Sequence, residues 1–189
     1  VTLGATLNSA LIYGHGADVA LGGQDVDEVH FFDLAAVSGV GTAATEMEFH
    51  DCEFVGATSI QNAHHYDCTF SSTHTMTLAG DYHYINCQSG VAGTGAPTFA
   101  KTAGQAITAE FRRWSGGATF TGLETGDTMT ISGELGTINL GSPAGSPVVE
   151  IRGTYKAITN AGSATVGLAG AIKGEDVASI LVDTGTSIP

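Results

Sequence analysis

Three cysteines, seven histidines and a set of closely spaced carboxylates are the residues of this chain whose types suit chemistry. Cys52, Cys68 and Cys87 sit in related segments, FHDCEF at 49–54, HYDCTF at 65–70 and YINCQS at 84–89, and every His lies between His15 and His83. The pairs His50/Cys52, His65/Cys68 and His83/Cys87 carry zinc-type ligands, imidazole nitrogen and thiolate sulfur. Their separations of two, three and four residues are irregular, and no CxxC is present. On a strand an odd separation sends two side chains to opposite faces, so His65 and Cys68 cannot chelate together without a bend. The expectation is a stack of interior cysteines with solvated histidines, no metal and no cofactor. Three is an odd number of cysteines, and adjacent ladder positions bridge poorly, so disulfides are not expected either.

Asp51 and Asp67, with Glu53 nearby, are the candidate catalytic carboxylates. A pair about 5–9 Å apart, one with a raised pKa, would hydrolyse a glycosidic bond. Acidic residues at strand ends also serve a plainer purpose, protecting edges and keeping a surface soluble. A lyase would want a basic group, and no Lys or Arg lies near these carboxylates in sequence. Trp114, which follows Arg112-Arg113, is a candidate for stacking on a sugar ring with Arg113 beside it. The simpler reading makes Trp114 a core filler. No GxSxG elbow and no phosphate-cradling loop with its Lys is present. Asp25, Asp27 and Glu28 lack calcium-loop spacing and read as a solvated turn.

These residues need a scaffold, and its period is visible. The cysteines are 16 and 19 residues apart. Leu34 precedes Cys52 by 18, and Trp114, Ile131, Ile151 and Leu168 continue at steps of 27, 17, 20 and 17. Such a period is too short for a helix pair or a propeller blade and suits one coil of a β-solenoid. Coils would then stack at roughly 4.8 Å. TMTISG at 128–133, PVVEIRG at 147–153 and SATVGLAG at 163–170 are short strand candidates bounded by Gly. In the middle one Val149 and Ile151 share one face, Glu150 and Arg152 the other. The prediction is an all-β fold, a single right-handed parallel β-helix over residues 1–189 with about 16–20 residues per coil and roughly eight to ten coils. VAGTGAPTFAKTAGQ supplies an irregular loop insertion at about 90–106.

Six Lys+Arg against 19 Asp+Glu leave a net charge of −13, which argues against binding phosphate backbones. Hydrophobic residues make up 42% and no apolar run reaches membrane-helix length, so neither disorder nor a helical membrane span is expected. The opening VTLGATL has no leader character, and the chain reads as a piece of a longer polypeptide.

The stretch YHYINCQSGVAGTGAPTF at 82–99, followed by FRRWSGGATFTGLETGDTMTISG at 111–133, resembles a group of bacteriophage virion proteins labelled tail-fibre or tail-associated. The likeness rests on Tyr84 to Pro97, Arg112 to Gly117 and Gly126-Asp127, and extends over roughly residues 46–170. Ser142-Pro143-Ala144-Gly145-Ser146-Pro147 departs from it, standing where relatives carry a second Cys followed by Thr/Ser-Gly-Gly. The resemblance implies a β-helical module of a virion fibre, spike or appendage, trimeric by analogy and in contact with other virion proteins or a host surface glycan. It transfers no catalytic residue. The alternatives are a tailspike-type polysaccharide depolymerase using Asp51, Asp67 or Glu53, and a capsid or tail scaffold without a ligand.

Overall fold

The computed structural model describes residues 2–3, 7–42, 47–60, 63–76, 80–90 and 96–174, with the side chains of 3, 7–8, 23–27, 40–42 and 60 left out. Its strands are β1 (Thr2–Leu3), β2 (Leu7–Thr42), β3 (Met47–His50), β4 (Glu53–Phe54), β5 (Thr58–Ile60), β6 (Ala63–Tyr66), β7 (Thr69–Phe70) and β8 (Thr73–Met76). They continue as β9 (Gly80–Ile85), β10 (Gln88–Ser89), β11 (Thr98–Lys101), β12 (Ile107–Thr121), β13 (Thr128–Asn139), β14 (Val148–Thr159), β15 (Thr165–Leu168) and β16 (Ile172–Lys173). Every pairing between strands is parallel, and the coils stack into a β-solenoid of about 7 turns. The count falls below the expected eight to ten, and the middle and later coils take 27, 20 and 20 residues, as the register Tyr84↔Phe111↔Ile131↔Ile151 records.

Three ladders build each coil. The first joins β2, β3, β6, β9, β12, β13, β14 and β15 through pairs such as Phe31↔Phe49↔His65↔Tyr84. A corner follows, and then a short second ladder through β4, β7 and β10, with Phe54↔Phe70↔Ser89. The third joins β5, β8, β11 and β12, with Thr58↔His74↔Phe99↔Phe120. Alternation in β3, β6 and β9 sends every second residue inward, as strand geometry requires. Like residues therefore pile on like. Phe31, Phe49, His65, Tyr84 and Phe111 stack with ring centroids 4.3–5.3 Å apart along the axis.

The cysteines form one interior column. Gln88 pairs with Thr69 and Thr69 with Glu53, which brings Cys52, Cys68 and Cys87 to equivalent positions, all buried free thiols. Trp114 continues the column, since Gln88 pairs with Ser115. Ile131 does not, correcting the expected step of 17: it pairs with Phe111, and Gly133 takes the place above Trp114. Gly153 follows Gly133. The column of inward side chains therefore ends at Trp114. A Cβ on Gly133 would lie 2.1 Å from the Trp114 carbonyl oxygen, on a backbone with φ of +140°. Gly133→Ala is expected to cost about 3 kcal/mol, measured by urea unfolding. A loss under 1 kcal/mol would mean that the corner relaxes freely.

The stretch expected as a loop at about 90–106 contains a true strand. In β11, Phe99 and Lys101 are buried and pair with His74 and Met76. The extra residues fall between Ser89, paired 19 residues back, and Thr98, paired 25 back. Composition alone hid the strand because glycines flank it on both sides. Among the described residues no helix is long and apolar enough to cross a membrane.

Candidate functional site

The outer face of the first ladder carries His30, His50, His64 and His83. Residues pointing out of its strands fall into two neighbouring rows. One runs His30, Glu48, His64, His83, Glu110, and the other Phe32, His50, Tyr66, Ile85, Arg112. In the first row His30 Nδ1 lies 2.6 Å from Glu48 Oε2, and His83 Nδ1 lies 3.4 Å from Glu110 Oε2. Across the rows, His50 Nε2 lies 3.1 Å from the same Glu48 oxygen, and Arg112 Nη2 donates to Glu110 Oε1 at 2.9 Å. Glu150 and Arg152 repeat that pairing at 2.9 Å. Their shared outward face is the one expected from alternation.

The second row begins as an aromatic stack. Tyr13, Phe32, His50 and Tyr66 lie with centroids 4.7 Å apart and planes within 10–14° of parallel. Ring faces thus meet other ring faces. A sugar needs a free face to stack on, so this row stiffens the surface and turns chiefly edges outward.

Asp51, Asp67 and Asn86 are exposed and share a corner with left-handed backbone, φ of 52–57°. Asp33 and Arg113 adopt the same conformation, at 52° and 55°. Asp and Asn tolerate this region because their short polar side chains hydrogen-bond locally, which explains why they recur one residue before each column position. Asn86 Nδ2 donates to Asp67 Oδ1, and each of the three corner N–H groups bonds to a carbonyl of the next coil. The row thus has a turn-forming role written into its geometry. Glu53 is exposed on the second ladder.

The bend that would let His65 and Cys68 face the same side is present, and Asp67 makes it. Both residues are buried, which corrects the expectation of opposite faces and, for His65 and His74, of solvated histidines. Zinc is no better served. Each thiol sits 3.2–3.4 Å from the carbonyl two residues back. The hydrogen bond between Cys52 and Cys68, together with burial, pushes the Cys52 thiol far up, and burial does the same to Cys68. Thiols held protonated are poor ligands and poor nucleophiles. His50 and His83, meanwhile, point outward, away from Cys52 and Cys87.

Trp114 is fully buried, its Nε1–H donating to the Gly116 carbonyl at 3.2 Å. With both ring faces inside the core, it offers no sugar platform and acts as the filler of the cysteine column. Arg113 is exposed on the corner row and borders a shallow hollow of about 280 Å³ with Ser115, Gly133 and Glu134. Of the turn expected at Asp25, Asp27 and Glu28, only the Glu28 side chain lies within the description, and it accepts from Ser9 Oγ at 2.9 Å.

Two buried polar groupings escaped the sequence reading. Lys101 stands at an interior position, in register with Met76 and Ile60. Its ammonium meets Glu124 and lies 3.2 Å from Asp127 Oδ2, with the Lys101 and Asp127 side chains wholly buried. Asp127 also accepts from the backbone N–H groups of Ile107 at 3.0 Å and Glu124 at 2.8 Å. The Lys101 ammonium and the Gly104 N–H hold the Glu124 carboxyl below its ordinary range. Register would have revealed this Lys, had the strand around it been recognised. The second grouping is His65, His74 and Tyr84, all in the core. His65 Nε2, His74 Nε2 and the Tyr84 hydroxyl lack a hydrogen-bond partner among the described residues. Burial lowers the pKa of both imidazoles, to about 3 for His74.

No protein-family model, curated protein or solved structure matches the chain.

Proposed function

We propose that the chain is a structural and adhesive module of a bacteriophage particle, a right-handed and trimeric β-helix in a fibre, spike or appendage that touches a host surface glycan. The observation that carries this reading is the in-register outer face of the first ladder. Parallel rows of matched side chains along a packed solenoid make a stiff, flat surface that supports loops and contacts along its length. The candidate carboxylates support the structural side as well, because Asp51 and Asp67 are accounted for by the left-handed corner. The virion setting rests on the sequence resemblance alone. Within this reading the hollow at Arg113 and Glu134 is the place for a glycan, where a guanidinium and a carboxylate flank a concave surface and bind hydroxyl groups in pairs.

The test is binding of the chain to a panel of bacterial capsular and lipopolysaccharide glycans, with reducing ends assayed in parallel and mass measured by sedimentation. Expected are a trimer, binding without turnover, and a loss of about tenfold or more in affinity in Arg113→Ala. Reducing-end release that disappears in Asp67→Asn would establish the depolymerase instead. A monomer that binds none of the panel would overturn the adhesive reading and leave a scaffold.

A further inference from the structure

We infer that His30, Glu48 and His50 form a binding site for a single divalent transition-metal ion on the outer face of the solenoid. This inference stands apart from the functional proposal, since it requires neither a glycan nor a particle. The three side chains offer two imidazole nitrogens and a carboxylate oxygen, all within 4.8 Å of one another. Two nitrogens and one oxygen are the donor set of a borderline ion such as Zn²⁺, Ni²⁺ or Cu²⁺. Ca²⁺ and Mg²⁺ require a shell of oxygens that this face does not supply.

Local structure gathers the ligands. Glu48 and His50 are two apart on β3 and so share a face, while His30 lies directly opposite Glu48 on β2. Metal bonds of about 2.0–2.2 Å in a tetrahedron set ligand atoms about 3.3 Å apart. The observed separations from Glu48 Oε2 are 2.6 Å to His30 and 3.1 Å to His50, so small ring and carboxylate rotations suffice. The His50 ring is clamped between Phe32 and Tyr66, each 4.7 Å away, which fixes its orientation before any ion arrives. His30 lies parallel to His50 at 6.4 Å. All three side chains are partly exposed, at 37%, 20% and 31%, which leaves an approach from solvent and open coordination positions for water. The net charge of −13 favours a dication over the bulk. Without an ion the same oxygen serves both imidazoles as a hydrogen-bond acceptor, which keeps the trio assembled.

Titration of ZnCl₂ or NiCl₂ into the whole chain at pH 7.5, followed by calorimetry, tests the site. The expected result is one ion per chain, with affinity falling at least about tenfold in Glu48→Gln and His50→Gln and unchanged in His83→Gln, whose partner is Glu110. Circular dichroism establishes that the variants fold. Should one fail to fold, ¹⁵N shifts of the imidazole rings in the unaltered chain decide instead, with Zn²⁺ moving His30 and His50 first. Absence of stoichiometric binding, full binding in Glu48→Gln, or first shifts at other histidines would each overturn the site.

Discussion

Asp127→Ala is expected to destabilise the solenoid by about 3–5 kcal/mol, read as a fall in the urea midpoint with little change in slope. The magnitude follows from what is left behind. Lys101 is a buried cation, and Asp127 is its wholly buried counter-charge. Removing the carboxylate strands the ammonium in the core and also deprives the Ile107 and Glu124 N–H groups of their acceptor. Glu124 is partly exposed and compensates only in part. The companion variant K101M/D127N removes both charges together and places a thioether in the column of Met76. It is expected to recover part of the loss, since no ammonium is left stranded and the new amide oxygen still accepts from one of the two N–H groups. A cost below 1 kcal/mol for Asp127→Ala would show that the ammonium reaches solvent.

The second large effect is acid sensitivity well above the carboxylate range. His65 and His74 are buried and neutral in the fold, whereas an unfolded chain binds protons on both near pH 6.5. A base whose folded pKa is lowered supplies its stability above the unfolded pKa and loses it as pH falls toward the folded value. Each histidine then removes about 1.4 kcal/mol per pH unit below 6.5, or about 5 kcal/mol for the two between pH 6.5 and 4.5. Thermal unfolding across that interval measures it. His65→Phe should roughly halve the dependence and continue the Phe49–Tyr84 stack with a ring that needs no hydrogen bond. An unfolding temperature that stays flat from pH 6.5 to 4.5 would mean that both rings take up protons inside the fold. His30, His50 and His83 lie against carboxylates on the surface, outside the core that holds His65 and His74.

What the sequence disclosed depended on repetition. FHDCEF, HYDCTF and YINCQS repeat because the corner needs a residue that accepts positive φ and then a small side chain pointing inward. That one constraint was enough to indicate parallel coils and the cysteine column. It failed where the constraint was met differently. Past Trp114 the corner passes to Gly133 and Gly153, which carry no side chain to align, so Ile131 was placed in the wrong column. Lys101 was overlooked because a charged residue among glycines resembles a loop, and only pairing with Met76 reveals its interior position. The His30–Glu48–His50 group was illegible for another reason. Its members meet across neighbouring coils, and spacing within one segment carries no trace of that contact.

Uniform stacking also gives this architecture a natural unit of growth and loss. Met47 to Ile60 lies over Ala63 to Met76 with a constant offset of 16 residues. Excising the 16 residues that begin at Ala63 sets Phe49 against Tyr84 and Cys52 against Cys87, and the rod shortens by a single rise of roughly 4.8 Å. A deletion that does not match a whole coil would shift every later column onto strangers. Genetic change can therefore adjust the reach of this scaffold in whole steps, like links removed from a watch strap, without redesigning its interior.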